Sequence, residues 1–384
     1  MSEQVQNPHS KKNRRKLISN LIFLLLLTIL VVTMILSFGE ISKITAQFQE
    51  IANGDNWKYL LIALGLILLH FFIWPASQCI YGKALKIEAT VGESYLIGCS
   101  EHFYNGITPF AAGGQPFQIY SYTKRNVSTA KATGVILSSF VTFMLVTNAF
   151  AIASLFFYPT ISAGFEEMGM GWIKFVSLIG LIINFFVLIF MISIGVSKKL
   201  RNLLTKLVKN ISEWKFFYKK EKGLRRKIGE GLKKAVPVFE EYCENAQTAF
   251  KETWTHKLAT IFALLIKIVC MASYYAVPFF ILKAVGIEVG YDKFILVLFA
   301  TSFAINAVVW MPTPGGVGGI EYAFIIVIAA VTTANRSDPQ AVVLIWRMLT
   351  YYLLLIISFV ANAIFEALCS HRISKENSDS QIKD

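Results

Sequence analysis

The chain has 384 residues, of which 55% are hydrophobic and only 16% charged, with a mean hydropathy of +0.55. Soluble domains carry about 25% charged residues and disorder requires low hydrophobicity, so neither describes most of this length. The five cysteines, Cys79, Cys99, Cys243, Cys270 and Cys369, are odd in number and show no CxxC spacing, which excludes a disulfide scaffold. The net charge of +13 is concentrated in two places. Residues 1–16 hold five Lys and Arg against Glu3, and residues 197–257 hold sixteen against seven Glu. Basic flanks beside apolar spans follow the positive-inside rule and suit anionic lipid headgroups rather than nucleic acid.

In chain order, residues 1–16 read as a basic cytoplasmic N-terminus. Residues 17–38 are apolar, longer than a signal-peptide core and without an A-x-A site, so they read as an uncleaved first transmembrane helix. Further apolar runs cover about 57–80, 127–157, 172–196, 257–283, 294–310, 320–333 and 340–367. The pair 294–310 and 320–333 is short and interrupted by PTPGGVGG, and a second interrupted region at 94–120 surrounds TPFAAGGQP. The expected fold is therefore all-α: a polytopic membrane protein with about six full spans and two re-entrant helical segments.

Charge sets the expected orientation. Loop 197–256, tail 370–384 and the segments around Lys83, Lys86, Lys124 and Arg125 fall inside, and loop 158–171, with Glu166 and Glu167, falls outside. Segment 94–120 then dips in from the cytoplasm and 294–333 from outside. The membrane halves 17–196 and 257–369 carry tips 106–117 and 311–321, and within them the units from helix 57–80 to helix 127–157 and from helix 257–283 to helix 340–367 have opposite topology, an inverted repeat that points to a transport site near the midplane. Within loop 197–256, Leu200, Leu203, Leu204, Leu207, Val208 and Ile211 recur at helical spacing among Lys and Arg. That is a basic amphipathic helix, either lying on the anionic inner leaflet or serving as a solvated linker.

Irregular backbone inside hydrocarbon must face protein or a wet cavity. Thr108, Pro109, Gly113, Gly114 and Gln115 in the first tip, and Pro314, Gly315 and Gly316 in the second, are the candidate lipid-binding residues. The glycines permit a sharp turn and close approach, Pro116 suits the first position of a following helix, and each tip aims free helix N–H groups at an anion such as a phosphate headgroup. Close helix packing is the competing reading of the same glycines. Glu321, Arg347, Lys267 and Glu101 sit in or near spans, where each charge costs about 2.5–3.5 kcal/mol at mid-bilayer. Arg347 is expected to contact a lipid phosphate, with Glu321 holding Arg347 or a headgroup amine, and Tyr351 lies beside them. His70 reads as a packed core histidine. No nucleotide loop, HExxH, GxSxG or clustered metal set occurs, so no catalytic residue, metal or cofactor is expected, and the chain is not expected to act alone as an enzyme.

Two segments carry a resemblance. GITPFAAGGQPFQIY (Gly106 to Tyr120) and PTPGGVGGIE (Pro312 to Glu321), with Arg347 followed by Tyr351 and Tyr352, resemble the lysylphosphatidylglycerol synthase transmembrane-region family, over roughly 17–370. The family includes the flippase half of the multiple peptide resistance factor. The resemblance implies a multi-pass cell-membrane protein that moves a phospholipid, such as lysylphosphatidylglycerol, or a polyprenyl-type lipid between leaflets. In full-length relatives this accompanies resistance to cationic peptides and a C-terminal lysyltransferase domain, which is expected to be absent here. The partners expected are that lipid and, through loop 197–256, anionic inner-leaflet lipids; an oligomer is compatible with the pattern. A lipid-modifying transferase, with Glu40, Glu50 and Asp55 as its weak carboxylate candidates, and an ion-coupled solute transporter are the alternatives.

Overall fold

The computed structural model describes residues 54, 56–167, 172–214, 224–308, 313, 316, 318–321, 324, 328 and 339–381. The expected first helix, 17–38, lies outside them, as do Glu40, Glu50 and Asp55. Among the described residues the structure is helical, with no strand. Helix α1 (Trp57–Ile73) is followed after Pro75 by α2 (Ala76–Ala84), and the two together are apolar and long enough to span. Short helices follow: α3 (Val91–Cys99), α4 (Glu101–Ile107) and, after a 3₁₀ turn at Pro109–Ala111, α5 (Gly114–Thr123). None of these reaches the ~20 residues needed to cross a bilayer. Helix α6 (Thr129–Ser154) continues through a 3₁₀ turn into α7 (Tyr158–Glu167), and α8 (Ile173–Val196) follows.

The basic loop folds into α9 (Lys198–Ser212) and α10 (Leu224–Thr255), which pack on each other, with α10 also lying along α6. The second half contains α11 (Lys257–Ala284), α12 (Phe294–Val308), α13 (Pro339–Arg347), a π-helical turn at Met348–Leu353 and α14 (Leu354–Gln381). Among the described residues, six helical stretches are long and apolar enough to cross a membrane: Trp57–Ala84, Thr129–Ala163, Phe175–Val196, Lys257–Ala284, Tyr291–Val308 and Val342–Ser370. Five match expected spans. The sixth is the run expected to be one arm of the second re-entrant pair. With its leading 3₁₀ turn it reaches 18 residues, and so qualifies on length.

The apolar surface is not all turned inward. Ile182 and Phe186 on α8 are 66% and 70% exposed, and Leu258, Phe262 and Leu265 on α11 are also exposed. Such continuous apolar faces need lipid or protein against them. The principal core lies where α1 packs on α11, and there Ala63, Ile67, Phe71, Val277 and Ile281 are fully or almost fully buried. Small residues bring helices together elsewhere. A Cβ on Gly180 of α8 would lie 2.5 Å from the Ala307 carbonyl oxygen of α12. One turn on, Asn184 Nδ2 donates to the Asn306 carbonyl at 3.0 Å. This is the small-residue contact with polar support that holds helices together in lipid.

Helix α3 begins with a capping box: Thr90 Oγ1 accepts from Glu93 N–H, and Glu93 Oε2 accepts from Thr90 N–H. Glu93 also pairs with Arg125 beyond the end of α5, so one carboxylate ties the entry of this segment to its exit. Burial alone would raise the Glu93 carboxyl, but the Thr90 N–H and the Arg125 guanidinium hold it below the usual range. Deeper in, Ser358 Oγ of α14 donates to the Cys99 carbonyl at 2.6 Å and accepts from Phe103 N–H at 2.9 Å, bridging the junction of α3 and α4.

Candidate functional site

The first interrupted segment folds around Glu101. Four N–H donors converge on its carboxylate. Trp74 Nε1 and Gln118 Nε2 donate to Oε2 at 2.8 and 3.2 Å, and Gln115 Nε2 and Asn105 Nδ2 donate to Oε1 at 3.1 and 3.4 Å. Backbone partners fix two of these amides. Asn105 Oδ1 accepts from Gly114 N–H at 2.8 Å, so its NH₂ must face Glu101. Gln78 Nε2 donates to the Ser94 carbonyl and the Tyr122 hydroxyl, leaving its Oε1 to accept from Gln118 Nε2. A group surrounded only by donors is a carboxylate, not a carboxylic acid.

Lys267 is the facing cation. It lies mid-span on α11, is 1% exposed, and stacks its Nζ 3.8 Å above the Trp74 ring. The break in the α1–α2 helix at Pro75 makes the Trp74 carbonyl available, and Lys267 Nζ donates to it at 3.0 Å. Lys267 and Glu101 line one cavity of about 10 Å³ with Trp74, Gln115, Gln118 and Ser139. That is room for roughly one water. No direct Lys267–Glu101 ion pair is present among the described residues, so the charges face each other across this space.

The second centre joins α13 to the other interrupted segment. Arg347 is 4% exposed, and its Nε donates to Glu321 Oε1 at 2.7 Å. Glu321 Oε2 accepts from Gly318 N–H at 2.8 Å, reaching back over the helical turn 319–321 as the carboxylate of a capping box does. Arg347 also lies near the rings of Trp346 and Tyr351, at 5.5 and 5.3 Å. The π-helical turn starts at the next residue; such turns are frequent at functional sites.

The two centres are connected. Tyr351 Oη donates to the Gly106 carbonyl at 2.9 Å, fastening the π turn to the base of the first tip. A row of rings, Trp346, Tyr274, His70 and Trp74, runs between them, with centroid separations of 6.0, 4.9 and 5.3 Å. His70 is buried as expected of a core histidine, its Nδ1 3.0 Å from the Cys270 carbonyl.

The structure changes the expected details of the first tip. The turn is made by Phe110 and Ala111, at φ +58° and +51°, not by the glycines. Left-handed backbone costs a non-glycine residue about 1–2 kcal/mol. Gly113 and Gly114 serve close approach: a Cβ on either would lie 2.6 Å from Thr108 Cγ2 or Asn105 Oδ1. Pro116 stands at the third position of α5, not the first, because the helix starts at Gly114. The expected free N–H groups are also engaged. Gly113 N–H donates to Thr108 Oγ1 at 2.9 Å and Gly114 N–H to Asn105, with the Glu101 methylene against Gly114. Neutral side-chain oxygens, from Thr108 and Asn105, take the place expected for an outside anion at these two N–H groups.

Of the remaining candidates, Pro109 opens the 3₁₀ turn and Gly316 adopts φ +66°, as a tip glycine should. Pro314 and Gly315 lie outside the described residues. Thus Thr108, Gly113, Gly114 and Gln115 gather at Glu101, whereas Glu321, Arg347 and Tyr351 gather at the second centre. Glu101 and Lys267 stand out in the sequence only as separate intramembrane charges. Trp74, His102 and Gln118 carry no sequence signal that sets them apart from core residues.

Among the described residues, six apolar helical stretches and two carboxylate–cation sets with buried cations define a polytopic all-α membrane protein with polar centres inside its helical core. The chain belongs to the family described as the lysylphosphatidylglycerol synthase TM region, which it matches over residues 20–358. It is 24% identical over 375 residues to an uncharacterized protein of Mycoplasma genitalium, covering 91% of this chain and 86% of that one. An uncharacterized Mycoplasma pneumoniae homologue is 23% identical over 352 residues, covering 86% and 83%. A UPF0104 membrane protein of Archaeoglobus fulgidus is 23% identical over 331 residues, covering 85% and 92%.

Proposed function

We propose that this protein moves a lipid with an anionic phosphate headgroup, a phospholipid such as lysylphosphatidylglycerol or a polyprenyl-type lipid, between membrane leaflets. The observation that carries the reading is the buried Arg347–Glu321 pair at a glycine-rich interrupted segment, tied through Tyr351 to the other interrupted segment. A guanidinium offers a planar fork that matches two phosphate oxygens. In the resting arrangement Glu321 occupies that fork as an internal counter-ion. A headgroup phosphate entering between the tips exchanges with Glu321, and an amine on the headgroup is left facing the released carboxylate. The tails stay in the bilayer while the headgroup crosses along protein.

The packing of α1 against α11, the opening helices of the two repeat units, supports an inverted repeat with its axis near these centres. The basic α9 supports attachment to the anionic inner leaflet. Leu203, Leu207, Ile211 and Trp214 are exposed along one face, flanked by Lys199 and Lys206, while Leu200 and Leu204 turn inward. The N- and C-termini then lie in the cytoplasm of a cell-membrane protein.

The test is translocation of fluorescent phosphatidylglycerol and lysylphosphatidylglycerol in vesicles reconstituted with purified protein. Arg347→Ala abolishes movement and Arg347→Lys, which keeps the charge without the fork, impairs it in part. Wild-type rates in Arg347→Ala would remove the site from the reading.

A further inference from the structure

We propose that Glu101 is a proton-binding site, and that loading it with a proton leaves Lys267 as an uncompensated cation beside the first interrupted segment. The inference goes beyond headgroup handling at Arg347 and supplies a driving force for it; only its second experimental arm rests on that reading.

The geometry says where the proton goes. Oε2 holds the closer donors, Trp74 Nε1 and Gln118 Nε2, and Gln118 is oriented by Gln78 and the Ile97 carbonyl. Oε1 holds the longer ones, Asn105 and Gln115. Asn105 is locked by Gly114 N–H, but Gln115 has no second side-chain partner among the described residues. Its amide can therefore turn, offering Oε1 in place of NH₂. A hydronium reaching the one-water cavity transfers its proton to Glu101 Oε1, leaving water, and the new O–H donates to the turned Gln115. No donor on Oε2 has to move.

The surroundings supply the consequence. Lys267 faces the carboxylate from α11 and His70 lies beyond the Trp74 ring on α1. His102, on the same helix as Glu101, packs 4.8 Å from Trp74 and 5.6 Å from His70, and its Nε2 is sealed from solvent without a hydrogen-bond partner. Cys270 on α11 bonds to His70, Cys99 on α3 lies behind α4, and Tyr351 donates to Gly106. Helices α5 and α6 present Gln115, Gln118 and Ser139 to the cavity and no charge. Glu101 is thus the sole anion among these groups. Its neutralisation changes the charge of the centre from zero to +1, next to Gln115 in the first turn of α5. A net positive charge behind the first turn of α5 attracts an anionic headgroup to the face of this segment, so proton loading and headgroup recruitment are coupled.

The test uses the whole protein in phosphatidylcholine vesicles without translocation substrate. Infrared difference spectra across about pH 4 to 8 bracket ordinary carboxyl and histidine titrations. A carboxylic-acid C=O band is expected on acidification, lost in Glu101→Gln and moved in frequency in Glu101→Asp. Glu101→Asp keeps a carboxyl at this position, so the assignment survives if Glu101→Gln fails to fold. In Lys267→Gln the band appears at higher pH, because the facing cation is gone. A band that survives in folded Glu101→Gln, or no band at all in wild type, overturns the proposal. The second arm sets an acid gradient across the same vesicles with fluorescent phosphatidylglycerol, or with inorganic phosphate alone. Gradient-driven lipid movement that Glu101→Gln loses ties the proton to headgroups. A phosphate response alone assigns the site to free anion, and a Glu101 band without any lipid movement refutes the lipid reading while the proton site stands.

Discussion

The Arg347–Glu321 pair gives the sharpest energetic test. Arg347→Met removes the cation and leaves Glu321, whose side chain is 19% exposed, with the Gly318 N–H. Breaking a buried pair from one side costs about 3–5 kcal/mol, and the partial exposure of Glu321 sets the expectation near the lower end, about 3 kcal/mol. Glu321→Leu takes the carboxylate from Arg347 Nε and removes the charge-assisted bond to Gly318, costing about 1.5–3 kcal/mol. The double variant removes both charges, and replacing a whole buried pair by apolar side chains is often close to neutral. The Gly318 bond is missing from both Glu321 variants and cancels, so the sum of the single effects should exceed the double effect by about 3 kcal/mol, a coupling typical of residues in direct contact. Reversible unfolding in mixed detergent and dodecyl sulfate, followed by circular dichroism, measures all three variants. Single effects that add to the double within about 0.5 kcal/mol would show that the two residues act independently, and the counter-ion exchange would lose its basis.

Gly114→Leu and Gly316→Leu should leave the protein in the membrane but abolish lipid movement in reconstituted vesicles, since one lies against Asn105 and Glu101 and the other holds φ +66°; normal transport in both would place the site elsewhere. Ser358→Ala removes two hydrogen bonds across the α3–α4 junction and should cost about 1–3 kcal/mol in the same unfolding assay, with an unchanged midpoint counting against the bridge. A thiol placed at exposed Glu213, just after α9, should resist membrane-impermeant maleimide in intact cells and react after lysis; labelling from outside would reverse the proposed orientation.

The long spans were legible because twenty apolar residues between basic flanks leave the chain few options, and 57–84, 129–163 and 257–284 fall where hydropathy puts them. The amphipathic α9 was legible for the same reason, its leucines recurring at helical spacing. The interior of the first tip was not. Glycine announces that a sharp turn is allowed, yet Phe110 and Ala111 take the strained angles. Surrounding packing can impose a conformation that local propensity disfavours. The donors on Glu101 come from α4, α5 and Trp74 just beyond the end of α1, and Gln78 of α2 orients one of them. Tryptophan and glutamine at those positions look like core or interface residues until the helices are assembled. The Arg347–Glu321 contact was within reach because its partners are 26 residues apart and both follow the same glycine-rich segment.

The placement of the two charge sets also orders the birth of the protein. Glu101 is made and delivered to the membrane well before Lys267, which belongs to the other half, whereas Glu321 waits only 26 residues for Arg347. Trp74, 27 residues upstream, can shelter the early carboxylate, but it brings no charge. An unmatched anion in hydrocarbon costs about 2.5–3.5 kcal/mol on insertion scales. The first half therefore has reason to stay at the wet edge of the bilayer, or in the care of the insertion machinery, until α11 arrives. A truncated chain ending before Lys267 would be a poor lodger in the membrane, and quality-control proteases would see it first.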